Sequence, residues 1–233
     1  MRSSTNNLTL TAARELGLQA AETRYEEFDG EPAIIITRYD RAESDGAIVR
    51  AHQEDTCMAL SVARGKKYED DGGPGAAAIV DLLRGIDASA QSVRRFLIAL
   101  AFNYLVGASD AHAKNYALLL RGPRVTLAPL YDIASSLPYD APPDSALRRL
   151  AMAIGGEKRF GMVGRQHWAR LARRAGVDPE WLWGRVIELA AELPDALSSA
   201  ITATPEARSS DLPTRYLDRL VDHLNRAGYP SRT

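Results

Sequence analysis

The stretch from Ser89 to Leu120 constrains this chain more than any other. Phe96 to Ala108 is a run of 13 strongly apolar residues that contains Asn103. A membrane span needs about 20 such residues, and a run of 10–14 marks a buried helix instead. Val93, Phe96, Leu97, Leu100 and Tyr104 recur at three- and four-residue intervals, so Ser89 to Val106 is expected to be a core helix. The densest polar cluster of the chain follows at once: Ser109-Asp110-Ala111-His112-Ala113-Lys114-Asn115. Apolar Tyr116 to Leu120 comes next. A polar loop pinned between two buried elements has the fixed backbone that a functional loop needs.

Composition narrows the class without naming a function. With 233 residues, 45% hydrophobic and 25% charged, the chain is too apolar for disorder and lacks the bias of a collagen or a coiled-coil rod. A net charge of −1 gives no global basic field for nucleic acid or an anionic membrane. The single Cys57 cannot form an internal disulfide and fits a reducing cytosol. The opening MRSSTNNLTL has no basic-apolar leader, so a cytoplasmic protein without membrane contact is expected.

Along the chain, Leu8 to Leu16 reads as a short helix capped by Thr5 or Asn6 and closed by Gly17. Glu22–Phe28 and Ala33–Tyr39 flank Asp29-Gly30, the signature of a tight hairpin. From His52 the pattern is mostly helical: Gln53–Val62, a long Gly-rich loop over Arg64–Gly75, then Ala76–Leu83. Tyr116–Leu120 and Val125–Asp132, joined by RGPR, read as a second hairpin. Pro138, Pro142 and Pro143 mark an irregular stretch, followed by helices over 165–174, 179–193, 196–202 and 213–226. The expected class is α+β, mainly α: a small front piece of helix plus hairpin, then a larger helical body.

The cluster at 109–115 is where chemistry could sit. Mg²⁺ is held by one or two carboxylates plus substrate phosphates, and Asn115 with Asp132 would offer one neutral and one anionic oxygen. Asp110 lies five residues before Asn115 and 22 before Asp132, an interval shared with the protein-kinase catalytic loop and its metal-binding Asp. Asp110 could then accept the proton of a hydroxyl being phosphorylated. The plainer alternatives stay open: Asp110 and Asn115 as turn and cap residues, His112 as a structural histidine, and Lys114 as a solvated charge or a phosphate contact. A hydrolase metal set of Asp110, His112 and Asp132 has no HExxH-like support. The histidines are too scattered for structural zinc, and there is no G-x-S-x-G elbow. Cys57, beside Met58 and Leu60, reads as a core thiol.

GASDAHAKNYALLL followed by LAPLYDIASSLPY resembles the catalytic and metal segments of HipA-type serine/threonine kinases, the toxins of bacterial toxin–antitoxin pairs. ITRYDR, QEDTC, KYEDDGGPG and LAMAIGGEKRF extend the resemblance, in order, over nearly the whole chain. The resemblance implies a protein-kinase-like fold, with residues 1–41 as the remnant of an N-lobe and 42–233 as a helical C-lobe. It places Asp110, His112 and Lys114 in the catalytic segment, with Asp110 as base, and makes Asn115 and Asp132 the Mg²⁺ ligands. Ile36, Thr37, Arg38 and Tyr39 become the hinge strand for the adenine of ATP, with Asp40 near the ribose. It further implies phosphorylation of a protein serine or threonine, in some members on an aminoacyl-tRNA synthetase. The implied partner is a helix-turn-helix antitoxin, through which alone DNA would be met.

Two departures accompany the resemblance. The chain holds 25 arginines but four lysines, Lys66, Lys67, Lys114 and Lys158, so the ATP-binding strand lysine expected ahead of the hinge is missing. The family's Asn-Glu pair corresponds to Asn6-Asn7, which removes the acid. Loss of such electrostatic groups commonly costs about 10²–10³ in rate, so the expectation is a kinase body that is weak or inactive alone. The competing expectation is a non-catalytic toxin module that binds the antitoxin.

Overall fold

A computed structural model describes residues 2–87, 89–204 and 210–230. The ends of the two expected lobes at Met1 and 231–233, and internal positions 88 and 205–209, lie outside the described residues. The architecture is α+β and mainly α, as expected.

The chain opens with α1 (Arg2–Glu15), which starts earlier than the sequence pattern suggests. Thr5 and Asn6 therefore lie inside the helix and not at its cap. Leu8, Leu10, Ala12 and Ala13 are all buried, and packing against a later helix sets the length of α1 more than its weak periodicity does. Strands β1 (Thr23–Phe28) and β2 (Glu31–Ile36) pair antiparallel, with Thr23 opposite Ile36. Asp29 and Gly30 both have positive φ, 51° and 83°, as a two-residue hairpin turn that follows the strand twist requires.

A second hairpin, β3 (Arg41–Ser44) with β4 (Ala47–Arg50), follows where the sequence reading placed no strand. The helix expected over Gln53–Val62 is also corrected. His52–Asp55 forms β5, and only Thr56–Ala59 is helical, as α2. The cause is tertiary. β6 (Ala117–Arg121) is the centre of a three-stranded sheet ordered β5-β6-β7, with β7 at Arg124–Leu127, and its free edge recruits His52–Asp55. Asp55 then caps α2, accepting from the Met58 N–H at 2.9 Å. Asp132 was expected to end the return strand, but β7 stops at Leu127 and Asp132 lies in the irregular segment beyond it.

The body packs around α4 (Gln91–Leu105), preceded by α3 (Ala76–Ile86). A small hairpin of β8 (Arg149–Ile154) and β9 (Glu157–Arg159) leads to α5 (Arg165–Ala175), α6 (Pro179–Ala203) and α7 (Leu212–Arg226). The two helices expected at 179–193 and 196–202 are one, running through Pro194. Proline in a helix interior forfeits a hydrogen bond, but Leu193, Pro194, Ala196 and Leu197 are buried, and core packing offsets that cost. Cys57 is buried as a core thiol. Among the described residues, no helix is long and apolar enough to cross a membrane.

Tyr104, at the end of α4, gathers the second half of the chain. Its hydroxyl accepts from the Gly161 and Val163 N–H groups at 3.1 and 3.3 Å, and its ring packs against Phe160, Trp168, His223 and Tyr229. The His223 Nε2 lies 3.1 Å from the Tyr104 carbonyl, and burial lowers the imidazole from 6.5 to about 4. The unfolded chain thus binds a proton between pH 6.5 and 4 that the folded chain refuses, so stability falls on acidification through that window. The expected loss from this residue is about 3 kcal/mol. Denaturant unfolding of His223→Gln at pH 7 and pH 4.5 should show a shallower acid loss than the parent protein; equal slopes would remove His223 as the cause.

Candidate active site

The polar loop expected to carry chemistry leaves α4 through Gly107. This residue has φ +68°, and a Cβ there would meet the Leu137 side chain at 2.3 Å. The Gly107 carbonyl accepts from both the N–H and the hydroxyl of Ser136, each at 2.9 Å. On its other side the loop is held by α2, because the Thr56 hydroxyl donates to the Ala113 carbonyl at 2.7 Å. The Asn103 amide on α4 donates to the Tyr116 hydroxyl at 2.7 Å, which fixes the entry to β6. Asp110 is thereby presented at the surface while Ala111, His112, Ala113 and Asn115 around it are buried.

Asp110 and Asp132 line one cavity of about 480 Å³, together with Asn6 on α1, Ile34 and Ile36 on β2, and Ser135, Ser136 and Tyr139. Asp132 has φ +53°, a left-handed backbone that Asp and Asn tolerate better than most residues. The Asn6 amide donates to Asp132 Oδ1 at 3.3 Å, while Asn6 Oδ1 is buried without a partner. Asn115 sits behind Asp132. Its amide nitrogen lies 3.3 Å from the Asp132 carbonyl and 3.4 Å from Oδ2, and its Oδ1 accepts from the His112 N–H at 3.1 Å. One carboxylate, one amide side chain and an unpartnered amide oxygen make a hard, oxygen-rich and sparse donor set that fits Mg²⁺ with phosphate and water filling the rest. Ligation through Asn115 oxygen requires its amide turned over, oxygen toward Asp132.

Asp110 has a neighbour the sequence did not point to. The Tyr68 hydroxyl donates to Asp110 Oδ1 at 2.6 Å. Tyr68 belongs to the Gly-rich loop, which is strapped down where its Glu69 and Asp70 pair with Lys158 Nζ at 3.0 and 2.6 Å. The Ala153 N–H also donates to Glu69 at 2.7 Å. KYEDDGGPG and LAMAIGGEKRF, distant in sequence, meet at these contacts. His112 is buried, edge-on to the Tyr68 ring, with Nε2 3.9 Å from Asp110 Oδ1. Burial, helped by the Lys67 charge, lowers its pKa below the ordinary 6.5, which favours the neutral ring.

The remaining expected site residues divide between two places. Ile36 faces the cavity of Asp110, whereas Arg38, Asp40 and Lys114 line a second one of about 450 Å³ with Tyr131 and His52. Thr37 anchors the segment, its N–H donating to the Glu22 carbonyl at 2.9 Å. Tyr39 packs on Tyr131 at 6.1 Å between ring centres, and burial raises its phenol to about 12. Asp40 is buried and held by a two-pronged Arg38 contact, both arms 2.7 Å, and by Arg41, which together lower its carboxyl to about 2. Asn7 points away from the cavity, with its amide 3.4 Å from the Thr204 hydroxyl. Asn6 and Ile34 line the cavity and Tyr68 reaches Asp110 through long-range folding; Asn6 and Tyr68 fall in segments that carry the resemblance, but no local signal gives either a role at the site.

Residues 3–197 match the family model of the HipA-like C-terminal domain. The chain belongs to that family. It is 34% identical over 196 residues to Y4mE of Sinorhizobium fredii, a protein named as a candidate kinase; the match covers 83% of this chain and 46% of that one. It is 26% identical over 215 residues to the serine/threonine-protein kinase toxin HipA of Shewanella oneidensis, covering 85% and 48%. This HipA-family chain thus spans about half the length of the curated relatives it matches. Its fold is that of HipA in the Shewanella oneidensis complex of HipA, HipB and operator DNA, with a TM-score of 0.81 at 24% identity, over 95% of this chain and 55% of that one. The Helicobacter pylori proinflammatory kinase CtkA shares the fold more loosely, with a TM-score of 0.61 at 12% identity, over 97% and 80%. The kinase-like fold expected from the sequence is thereby shown.

The Tyr68–Asp110 contact has a direct spectroscopic consequence. The Asp110 carboxylate, followed by burial, raises the Tyr68 phenol above its ordinary 10. In Asp110→Asn one tyrosine is expected to titrate closer to 10 by tyrosinate absorbance, and Tyr68→Phe should abolish that difference. A tyrosine titration unaffected by Asp110→Asn would show that the contact does not persist in solution.

Proposed function

We propose that this chain is the body of a HipA-like serine/threonine protein kinase that transfers the γ-phosphate of ATP to a protein hydroxyl. The observation that carries the reading is the convergence of Asp110 and Asp132 on one cavity beneath β2, with Asn115 held against Asp132. Asp110, exposed at the mouth, is the base that takes the acceptor hydroxyl's proton as the new O–P bond forms and the bond to ADP breaks. Asp132 and Asn115 hold Mg²⁺, with Asn6 steadying the Asp132 carboxylate. Bound Mg²⁺ would neutralise the phosphate oxygens. Ile36 to Tyr39 takes the adenine as a hinge, and Asp40 braces that segment through Arg38 and Arg41. His112 supports the Asp110 loop as a buried ring, and Lys114, which matches the catalytic segment, lies on the separate cavity lined by Arg38 and Asp40.

Residues 1–41 belong to an N-lobe and residues 42–233 to the helical C-lobe in this reading. The partners are a protein substrate, an aminoacyl-tRNA synthetase being the resemblance-based choice, and a helix-turn-helix antitoxin through which DNA is met. A cytoplasmic growth-inhibiting toxin is the corresponding biological role. The HipA–HipB–operator assembly of the Shewanella relative supports the antitoxin assignment.

One observation favours a second reading, a non-catalytic module that binds the antitoxin. Among the described residues lining the cavity there is no lysine or arginine to meet the phosphates. Turnover by these residues on their own is therefore expected to be slow.

Calorimetry and phosphate transfer separate the two readings. Mg-ATP should bind the parent protein, bind Asp132→Asn at least tenfold more weakly, and bind Asp110→Asn unchanged. With [γ-³²P]ATP and the proteins encoded beside its gene, Asp110→Asn is expected to lower labelling by about 10²–10⁴. Mg-ATP affinity indifferent to Asp132→Asn would remove the metal assignment; antitoxin binding without any labelled protein would leave the module reading standing.

A further inference from the structure

Behind the loop that carries Asn115 lies a separate cavity of about 230 Å³. Its walls are apolar: Leu16 and Leu18 after α1, Ile98 on α4, and Leu127 and Leu130 around the exit of β7. Arg95 of α4 lies among them, half-buried, with Nη2 donating to Gln19 Oε1 at 2.5 Å. No carboxylate among the described residues balances this guanidinium; burial alone acts on it and lowers its pKa below 12.5. Arg185 at the same cavity differs, being paired with Glu188.

We infer that this cavity is a binding site for a small monocarboxylate with an apolar body. A half-buried cation facing a neutral amide leaves donors free, and the planar guanidinium matches a carboxylate with two parallel hydrogen bonds. The apolar walls take the rest of the ligand, as in ordinary small-molecule pockets where a few polar groups fix orientation. A single unbalanced positive charge suits a monoanion better than a phosphate dianion. The site is distinct from the cavity of Asp110 but touches the same machinery. Asn115 lines it from the other side, and the Leu130 N–H and carbonyl, both in bonds of 2.8 Å to Gln19 and Ala21, fix the wall that continues to Asp132. A ligand here sits against Asn115, one of the two proposed metal-holding residues, and against Leu130, two residues before the other.

The test needs no nucleotide and so stands apart from the kinase reading. Titrating the chain with 3-phenylpropionate by calorimetry should show one saturable site, and the neutral 3-phenylpropanamide should bind at least tenfold more weakly. Arg95→Gln should cut carboxylate affinity at least tenfold and leave the amide unchanged. Ile98→Trp, which fills the cavity and keeps the charge, should abolish binding of both and covers the case in which Arg95→Gln fails to fold. The Asn115 side-chain amide should shift in ¹⁵N-correlated spectra on addition of the carboxylate. Absence of saturable binding to the parent protein, equal affinity for acid and amide, or indifference to a folded Arg95→Gln would each overturn the inference.

Discussion

The burial of α4 on nearly every side is the constraint on which the rest depends. Phe96, Leu97, Leu100, Phe102, Tyr104 and Leu105 are all fully buried, and only the stripe of Gln91, Arg94, Arg95 and Ile98 near its start reaches solvent, so this helix has one orientation that keeps its apolar side chains dry. Each such side chain contributes about 1.5–3 kcal/mol on burial, enough together to fix both the axis and the rotation of the helix. Its two ends then act as fixed points. Asn103 and Gly107 aim the polar loop into the cavity, while Tyr104 collects the chain from Phe160 to Tyr229. A buried polar pair such as Asn103 with Tyr116 costs desolvation and is therefore sensitive to register, since a small shift of α4 would leave two polar groups unpaired in the core.

The second organising device is the strap over residues 64–75. Its Gly-rich composition disfavours regular structure and leaves only a single 3-10 turn at Glu69–Asp71, so it is ordered largely from outside. The nearly buried Lys158 amine lies between Glu69 and Asp70, and the Ala153 N–H completes the shell. Gly73 allows the tight approach, since a Cβ there would meet the Lys66 carbonyl at 2.3 Å. A charge placed in so dry a position is costly unless every partner is present, which ties the strap, β8 and β9 into one unit. That unit holds Tyr68 against Asp110.

Much of this organisation is legible in the chain itself, but only where local signals are strong. Asp29-Gly30 between two strand-like runs gives a hairpin because few residues other than these accept two successive positive φ angles. The apolar run from Phe96 and the Asp110–Asn115 interval place the loop between helix and strand correctly. HQED carries no strand signal, and its conversion into β5 follows from the open edge of β6, a partner 60 or more residues away. Pro194 reads as a breaker, yet the core on both sides of it overrides the local preference. Tyr68 and Asn6 reach the cavity from 42 and 126 residues away from their hydrogen-bond partners, so no window of sequence contains both ends of either contact. Lys114 matched the motif but opens onto a different cavity, because neighbours along an irregular loop need not share a face.

Asp132 combines two demands in one residue. Its backbone lies in the left-handed region, where Gly, Asn and Asp are the comfortable choices. Its side chain receives the Asn6 amide and faces the cavity. The mutational routes open to a lineage at this position are therefore few and unequal. Asn would keep the turn and a neutral oxygen, Gly would relax the turn and keep nothing, and a β-branched residue would strain the segment before any chemistry is considered. A descendant that lost Asp132 could thus retain its fold with little trace of the loss elsewhere. In the proposed kinase reading, the identity of this one residue would separate a relative able to hold a cation here from one that has become a scaffold.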